Sequence, residues 1–175
     1  MSGIVSQHFG LEVAASIPLY AGLALNGAIS WGQFTYDSNP DYVQIQDNSG
    51  EIKNEGKVYW KNFRVESTPQ TAMNIGLSYR SRNNIYASVD MNYYNNMYLS
   101  MSPLYRTDAV LSRNMSAEDI RELRHQEKFN SACVFNASVG KNWYINRAYT
   151  LGFSLEVKNL LNNQDIKTGG YEQIR

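Results

Sequence analysis

Few residues in this sequence have the types and spacing that catalysis requires. His8 and His125 lie in separate segments without a paired nucleophile, and Cys133 is the only cysteine. Neither an internal disulfide nor a four-cysteine metal site can therefore form. Cys133 falls on the apolar side of an alternating segment, where packing is a better interpretation than a reactive thiol. We predict that the chain is not an enzyme and needs no cofactor.

One stretch, Asp-Ser-Asn-Pro-Asp at 37–41, resembles an oxygen-rich cation loop. A calcium loop of the EF-hand type has Gly at its sixth position and Glu at its twelfth. Here those positions hold Tyr42 and Asn48. Because Asp and Asn side chains readily hydrogen-bond their own backbone, a turn rich in these residues is the default interpretation. We predict no metal site.

Aromatic, amide and acidic side chains are the remaining candidates for contact with a ligand. The candidates fall into two groups: Tyr42, Tyr59, Trp60 and Tyr105 in long connections, and Asn92, Tyr94, Asn96 and Glu156 on a polar strand face. The loop aromatics can stack on sugar rings or pack the loops against each other. The strand residues can face substrate or a plug, or simply line a wet channel. The residues alone leave these alternatives open.

Composition excludes some classes of protein. The 16 basic and 16 acidic residues cancel, so there is no electrostatic reason to expect nucleic acid. No apolar run reaches the roughly 18 residues of a membrane-spanning helix. A mean hydropathy of -0.46 is still compatible with membrane β-strands, which alternate apolar and polar residues. The N-terminus lacks a signal-peptide pattern, so the chain is either cytosolic or preceded by an export signal upstream.

Alternation with a period of two residues is the main structural signal. Ile85, Ala87, Val89, Met91 and Tyr93 share one parity, and Ser88, Asp90, Asn92, Tyr94 and Asn96 share the other. Strict alternation of this kind predicts strands with one apolar and one polar face. We predict six antiparallel strands in up-and-down order at 8–17, 23–36, 70–81, 85–98, 129–145 and 149–160.

The connections between these strands alternate in length. Those at 18–22, 81–84 and 146–148 are tight turns, whereas 37–69 and 99–128 are long. Short turns at one end and long loops at the other are typical of outer-membrane barrels. The second long loop contains a predicted helix, because Ser116 precedes Asp119 by three residues as in a capping box.

Three features favour a membrane over a soluble sandwich. The strands are longer than the 5–6 residues typical of globular sheets. Aromatic residues concentrate near strand ends: Trp31, Tyr79, Tyr93, Trp143, Tyr144 and Tyr149. Charged residues such as Asp90 and Lys158 occupy the polar face, where a wet channel would solvate them. We therefore predict an all-β fold: an antiparallel, up-and-down segment of a larger transmembrane β-barrel. A soluble lipocalin-like binder would require far shorter loops and an apolar interior.

Parity also predicts which side chains face lipid. Ile75, Leu77, Val89, Phe153 and Leu155 should share the convex face, and Asn74, Asp90, Asn92, Glu156 and Lys158 the concave one.

Several stretches resemble TonB-dependent outer-membrane receptors. Trp-Lys-Asn-Phe at 60–63, Thr-Pro-Gln-Thr-Ala at 68–72 and Gly-Leu-Ser-Tyr-Arg at 76–80 resemble a late strand of that family. The stretch 136–145 resembles a penultimate hairpin of its SusC-like branch. The stretches 157–163 and 168–173 are similar to that branch's Asn-Leu-rich strand end and the loop that follows it.

The resemblance implies a function. Family members are 22-stranded barrels, plugged by an N-terminal domain, in the cell outer membrane of Gram-negative bacteria. They import nutrients with energy from TonB. Residues 1–175 would then be a partial C-terminal barrel without the plug domain and the last strand. The implied partners are outer-membrane lipid, the TonB complex through the missing N-terminal region, a SusD-like surface lipoprotein, and an oligosaccharide or peptide substrate. The alternative is a structural or adhesive outer-membrane β-barrel without energy-coupled transport.

Overall fold

The computed structural model describes residues 1–113, 115–146 and 148–166. The stretch 168–173, and Arg147 in the last short turn, lie outside these ranges. The strands are β1 (Ser6–Pro18), β2 (Leu23–Tyr36), β3 (Asp41–Ile45), β4 (Ile52–Lys57), β5 (Thr71–Arg80), β6 (Ile85–Asn95), β7 (Ala132–Ile145) and β8 (Tyr149–Val157). A 3₁₀ turn (Pro103–Arg106), α1 (Asp108–Leu111) and α2 (Ala117–Arg124) lie between β6 and β7. No helix in the described ranges is long and apolar enough to span a membrane.

The main sheet has six strands in the order β1-β2-β5-β6-β7-β8. Every neighbouring pair is antiparallel, so the predicted up-and-down order of six strands is confirmed. The predicted strand positions are confirmed to within a few residues. The largest errors are three residues each, at 96–98, 129–131 and 158–160, which fall outside β6, β7 and β8. β1 and β8 form the two edges of the sheet.

Strand register sorts the side chains onto two faces. Leu25 pairs with Leu77, Leu77 with Val89, and Val89 with Ala137, so odd-numbered residues always meet odd-numbered partners. Directly paired residues of antiparallel strands point to the same side of a sheet. The sheet therefore has an odd face and an even face.

The apolar side chains gather on the odd face. Among the large hydrophobic residues of the six strands that are exposed, every one except Tyr144 has an odd number. The predicted grouping is thus confirmed for Ile75, Leu77, Val89, Phe153 and Leu155 on the odd face, and for Asn74, Asp90, Asn92 and Glu156 on the even face. Lys158 follows directly after the end of β8.

The three short turns lie at one end of the sheet and the two long connections at the other. The turn from β1 to β2 requires glycine at position 22, where φ is +86°. The amide of Arg80 donates to the Gly22 carbonyl (2.8 Å), and a Cβ at Gly22 would collide with the Arg80 carbonyl oxygen. This turn is therefore locked to the adjoining end of β5.

The first long connection contains an antiparallel hairpin, β3 and β4, which the sequence patterns did not predict. Side-chain pairs hold its two strands together: Lys57 Nζ lies 2.9 Å from Asp41 Oδ1, and Asn54 donates to Gln44 Oε1 at 3.0 Å. The turn between them uses Gly50 at φ +70°. Treating 37–69 as a plain loop was therefore wrong.

The second long connection contains the predicted helix. Ser116 Oγ accepts the amide of Asp119 (3.1 Å), and Asp119 Oδ2 accepts the amide of Ser116 (3.0 Å). This is the reciprocal pairing of a capping box, which satisfies amide groups that the first turn of a helix leaves without partners. The predicted helix start is confirmed.

The two long connections pack together into one body, which we call the loop unit (the described residues of 37–69 and 99–128). Its core consists of Tyr42, Val58, Trp60 and Met101. Backbone pairing joins the two connections, since the amide of Tyr59 donates to the Arg106 carbonyl at 2.8 Å. The loop unit therefore has the buried apolar core that the sheet lacks.

Candidate functional site

The even face has a hydrogen-bonded network centred on one carboxylate. Asp90 Oδ2 accepts from Asn92 Nδ2 at 2.7 Å and from Asn136 Nδ2 at 2.8 Å. Asn74 Nδ2 in turn donates to Asn92 Oδ1 at 2.9 Å. Hydrogen bonds to an ionised acceptor are stronger than neutral ones. The network therefore fixes the amide groups of three adjacent strands in defined orientations.

The same network continues beyond the last strand. Asn136 Oδ1 accepts the amide of Asn159 (3.0 Å), and Asn163 Nδ2 donates to the carbonyl of Cys133 at 2.9 Å. Asn159 takes a left-handed φ of +52°, a conformation that asparagine tolerates better than most residues. The segment after β8 is therefore tied back onto β7.

Shallow depressions also lie on the even face. One of about 430 Å³ is lined by residues that include Glu12, Ala28, Ser30 and Tyr94. A second, of about 310 Å³, is lined by Asn26, Ser78, Ser88 and Asp90 among others. Small polar side chains leave room above the sheet while still offering hydrogen bonds.

The predicted strand-face residues do not form a single site. Asn92 and Tyr94 both line the larger depression. Asn96 lies beyond the end of β6, and its Nδ2 donates to Thr71 Oγ1 at 3.2 Å. Glu156 is on β8, two strands from β6, where its carboxylate lies 3.7 Å from Lys158 Nζ. The structure therefore brings together only the first two.

The predicted loop aromatics also separate. Tyr42 and Trp60 are 6% and 8% exposed, and the Trp60 ring stacks on Tyr36 at a centroid distance of 4.9 Å. These two side chains pack within the core of the loop unit. Tyr105 is partly buried and does not line the main cleft. Tyr59 is 45% exposed and does line it.

The main cleft lies between the two connections of the loop unit and has a volume of about 650 Å³. It is lined by Asn39, Tyr59, Lys61, Asn62 and Phe63 from the first connection, and by Arg106, Leu111, Ile120 and Leu123 from the second. Ile120 and Leu123 lie on α2, which the sequence predicted. The remaining residues meet only because the two connections fold together, and no local pattern indicates that.

Two side chains anchor the walls of this cleft. Arg106 is 2% exposed, and its Nε donates to the Leu123 carbonyl at 3.0 Å while its guanidinium lies 5.4 Å from the Phe63 ring centroid. Gln126 holds both backbone groups of Arg64, accepting from the amide and donating to the carbonyl at 2.8 Å each. Hydrogen bonds from side chains to the backbone therefore hold the two sides of the cleft in position.

Acidic groups near the cleft have local partners. Asp37 lies 3.4 Å from Lys61 Nζ, with both side chains more than half exposed. Asp108 Oδ2 accepts the amide of Lys57 at 2.9 Å. A hydrogen bond to the Asp108 carboxylate also raises the pKa of the Tyr59 phenol, because it stabilises the protonated hydroxyl. Tyr59 is therefore a neutral hydrogen-bonding group at ordinary pH.

The stretch at 37–41 has a structural role. Asn39 Oδ1 accepts the amides of Trp60 (3.0 Å) and Lys61 (2.9 Å), and Asp41 pairs with Lys57. Within the described ranges, no group of His, Cys, Asp or Glu side chains is arranged to hold a metal ion. Cys133 pairs with Tyr93 on the odd face and is partly exposed.

No family model matches this sequence, and no curated protein sequence matches it.

Proposed function

We propose that the six-stranded sheet is part of a transmembrane β-barrel in the outer membrane of a Gram-negative bacterium. One observation supports this most strongly. In the central strands, Ile75, Leu77 and Val89 are 44%, 43% and 52% exposed, whereas the polar residues of the even face are half-buried. A sheet in water buries its apolar face, since each large apolar side chain left in water forgoes about 1.5–3 kcal/mol. Lipid around the odd face would remove that cost.

The spacing of aromatic residues on the odd face supports the same proposal. Trp31 lies opposite Thr71 at one end of β5, and Tyr79 lies eight residues further along that strand. At about 3.3 Å per residue, this separates the two aromatic positions by roughly 26 Å along the strand. Strands of outer-membrane barrels tilt by about 35–45°, so the two aromatic positions would lie roughly 18–21 Å apart across the membrane, within the apolar band of about 25 Å.

The basic residue on the odd face also fits this arrangement. Lys141 pairs with Phe153 towards the short-turn end of the sheet, and its Nζ lies 5.3 Å from the Trp143 ring centroid. Long basic side chains at a membrane boundary extend their charge towards water. A lysine costs little there, in contrast to the bilayer centre.

We propose further that the parent protein is a TonB-dependent importer of the SusC-like branch, with an oligosaccharide as the preferred substrate class and a peptide as the second. The resembling stretches support the family, and the ordered loop unit supports a binding role for the long connections. Long loops of such barrels face the outside of the cell. The loop unit would then meet substrate and a SusD-like lipoprotein, and the even face would line the channel.

The membrane proposal can be tested with spin labels in the intact protein. Labels at Ile75, Leu77 and Val89 should collide with oxygen dissolved in lipid, and labels at Ala28, Ala72 and Ser88 with a water-soluble nickel chelate. Accessibility that does not divide by parity would disprove lipid contact.

Transport needs its own test. Growth of the source bacterium on the cognate glycan should require both the intact gene and a working TonB. The matched control is growth on a monosaccharide small enough to diffuse through porins. Uptake that persists without TonB would favour the alternative, a structural or adhesive barrel.

A further inference from the structure

The cleft of the loop unit combines apolar and polar lining residues in a way that the proposed transport function does not require. Phe63, Leu111, Ile120 and Leu123 form its apolar lining. The polar lining residues, which we call the rim, are Asn39, Tyr59, Lys61, Asn62 and Arg106. Its volume of about 650 Å³ falls within the range of about 300–1,000 Å³ that small-molecule sites occupy. Apolar walls with a few polar groups at one side are the usual construction of such a site.

The polar rim mainly offers hydrogen-bond donors. Asn39 Oδ1 already accepts two backbone amides, whereas its Nδ2 has no hydrogen-bond partner within the described part of the chain. Lys61 adds an ammonium group. The Asp108 carboxylate raises the pKa of the Tyr59 phenol, so Tyr59 adds a protonated hydroxyl. The described lining contains two cationic side chains and no acidic one. A ligand group that accepts hydrogen bonds and carries negative charge complements this rim.

The ion pair between Lys61 and Asp37 is easily exchanged. Lys61 and Asp37 lie 3.4 Å apart with side chains 54% and 52% exposed. Exposed pairs of this kind contribute little stability. A carboxylate entering beside Asn39 could replace Asp37 at small cost and gain charge-assisted hydrogen bonds.

We propose that this cleft binds a small amphipathic carboxylate, with its aryl or branched alkyl group against Phe63, Leu111, Ile120 and Leu123 and its carboxylate on Asn39 and Lys61. Nothing in this proposal requires the sheet to be an importer, because the site lies entirely within the loop unit. The spin-label and growth experiments can fail while this site stands, and the reverse also holds.

The test compares two probes of the same shape on the intact protein. Binding of 3-phenylpropionate and of its neutral amide, 3-phenylpropanamide, is measured by saturation-transfer NMR and titration calorimetry. We expect the acid to bind at least about 5-fold more tightly than the amide, since hydrogen bonds to charged groups are the stronger kind. Equal affinities, or no binding of either probe at millimolar concentration, would overturn the proposal without any variant.

Variants then locate the site. Lys61→Gln should remove most of the preference for the acid, and Lys61→Arg should retain it. Lys53→Gln, which changes a lysine of β4 outside the cleft, is the matched control. Ile120→Ala should weaken both probes about equally, whereas Leu104→Ala, at an exposed leucine of the same connection, should weaken neither. An equal loss in Lys53→Gln and Lys61→Gln would show general charge attraction and overturn the assignment.

Discussion

The sheet and the loop unit are built in opposite ways. The loop unit buries its large apolar residues, with Val58 fully enclosed and Tyr42 and Trp60 nearly so. The sheet leaves its large apolar residues exposed on one face and joins its polar residues by hydrogen bonds on the other. One chain thus contains a part with a buried apolar interior of its own and a part that leaves its large apolar residues exposed on one face. Stability measurements should therefore separate the two regions.

The polar groups of the two regions also differ in their partners. On the even face, side chains bond to side chains, as in Ser16 to Asn26 (2.7 Å) and Asn26 to Ser78 (3.0 Å). In the loop unit, side chains such as Gln126 bond to backbone groups. The reason is that strand ladders already occupy the backbone of the sheet, whereas irregular loops leave backbone groups that must find partners.

The largest expected effect is in the loop core. Trp60→Ala removes a buried ring stacked on Tyr36, and changes of this type cost about 3–5 kcal/mol. We expect the loop unit to become sensitive to protease while the sheet remains folded. Limited proteolysis reports the first, and heat-modifiable gel migration reports the second. Tyr20→Ala, at an 87% exposed turn residue, is the control.

The outcome would differ if the sheet and the loop unit unfolded together as one cooperative unit. Trp60→Ala would then abolish the heat-modifiable band together with loop protection. Such a result would show that the loop unit stabilises the sheet, and the contrast between the regions would describe burial alone.

The second prediction concerns the two faces of the sheet. Ile75→Lys places a charge on the odd face, between the two aromatic positions. Lysine at the bilayer midplane of a barrel costs about 2–4 kcal/mol, so the folded fraction in lipid should fall. Ala28→Lys is the matched variant, since Ala28 lies opposite Asn74 on the even face and should tolerate the charge. Folding titrations in urea with lipid vesicles measure both.

The opposite order of effects would be decisive against membrane insertion. If the odd face met water, Ile75→Lys would replace an exposed isoleucine and leave stability nearly unchanged. Equal folding stability of the two lysine variants in lipid would therefore contradict the proposal that the odd face contacts lipid, even if the fold itself were unaltered.

The sequence predicted the sheet well because its signals are local. Alternation located the six strands, and parity assigned side chains such as Leu77 and Asp90 to the correct faces. The Ser116 and Asp119 pair located the start of α2 for the same reason, since both partners lie within one helical turn. Periodicity and capping depend on neighbours in the chain, and these can be recognised without tertiary information.

The loop unit was less predictable because its contacts are distant in sequence. The hairpin β3–β4 was missed, since β4 has a single apolar side chain, Ile52, and resembles a polar loop. The cleft depends on contacts such as Arg64 with Gln126, which are 62 residues apart. Burial of Tyr42 and Trp60 likewise follows from how the two connections meet. Residue type alone could not separate packing from ligand contact at those positions.

The smallest expected effect is a pH response at the start of α2. Hydrogen bonds from the Ser116 hydroxyl and amide lower the pKa of the Asp119 carboxyl. A group with a lowered pKa in the folded state adds stability above its unfolded pKa, which for Asp119 has an ordinary value of 3.8. This stabilising contribution of Asp119 is lost as the pH falls through the lower pKa that its carboxyl has in the folded state. Amide exchange in the first turn of α2 should therefore quicken, relative to intrinsic rates, only in acid below that ordinary value.

The carboxyl carbon signal of Asp119 should show a midpoint below 3.8, and Ser116→Ala should return it towards 3.8. Asp119→Asn should remove the pH response while leaving the sheet unaffected. A midpoint unchanged by Ser116→Ala would mean that the capping box does not set the charge of Asp119, and the helix start would then depend on packing against the rest of the loop unit.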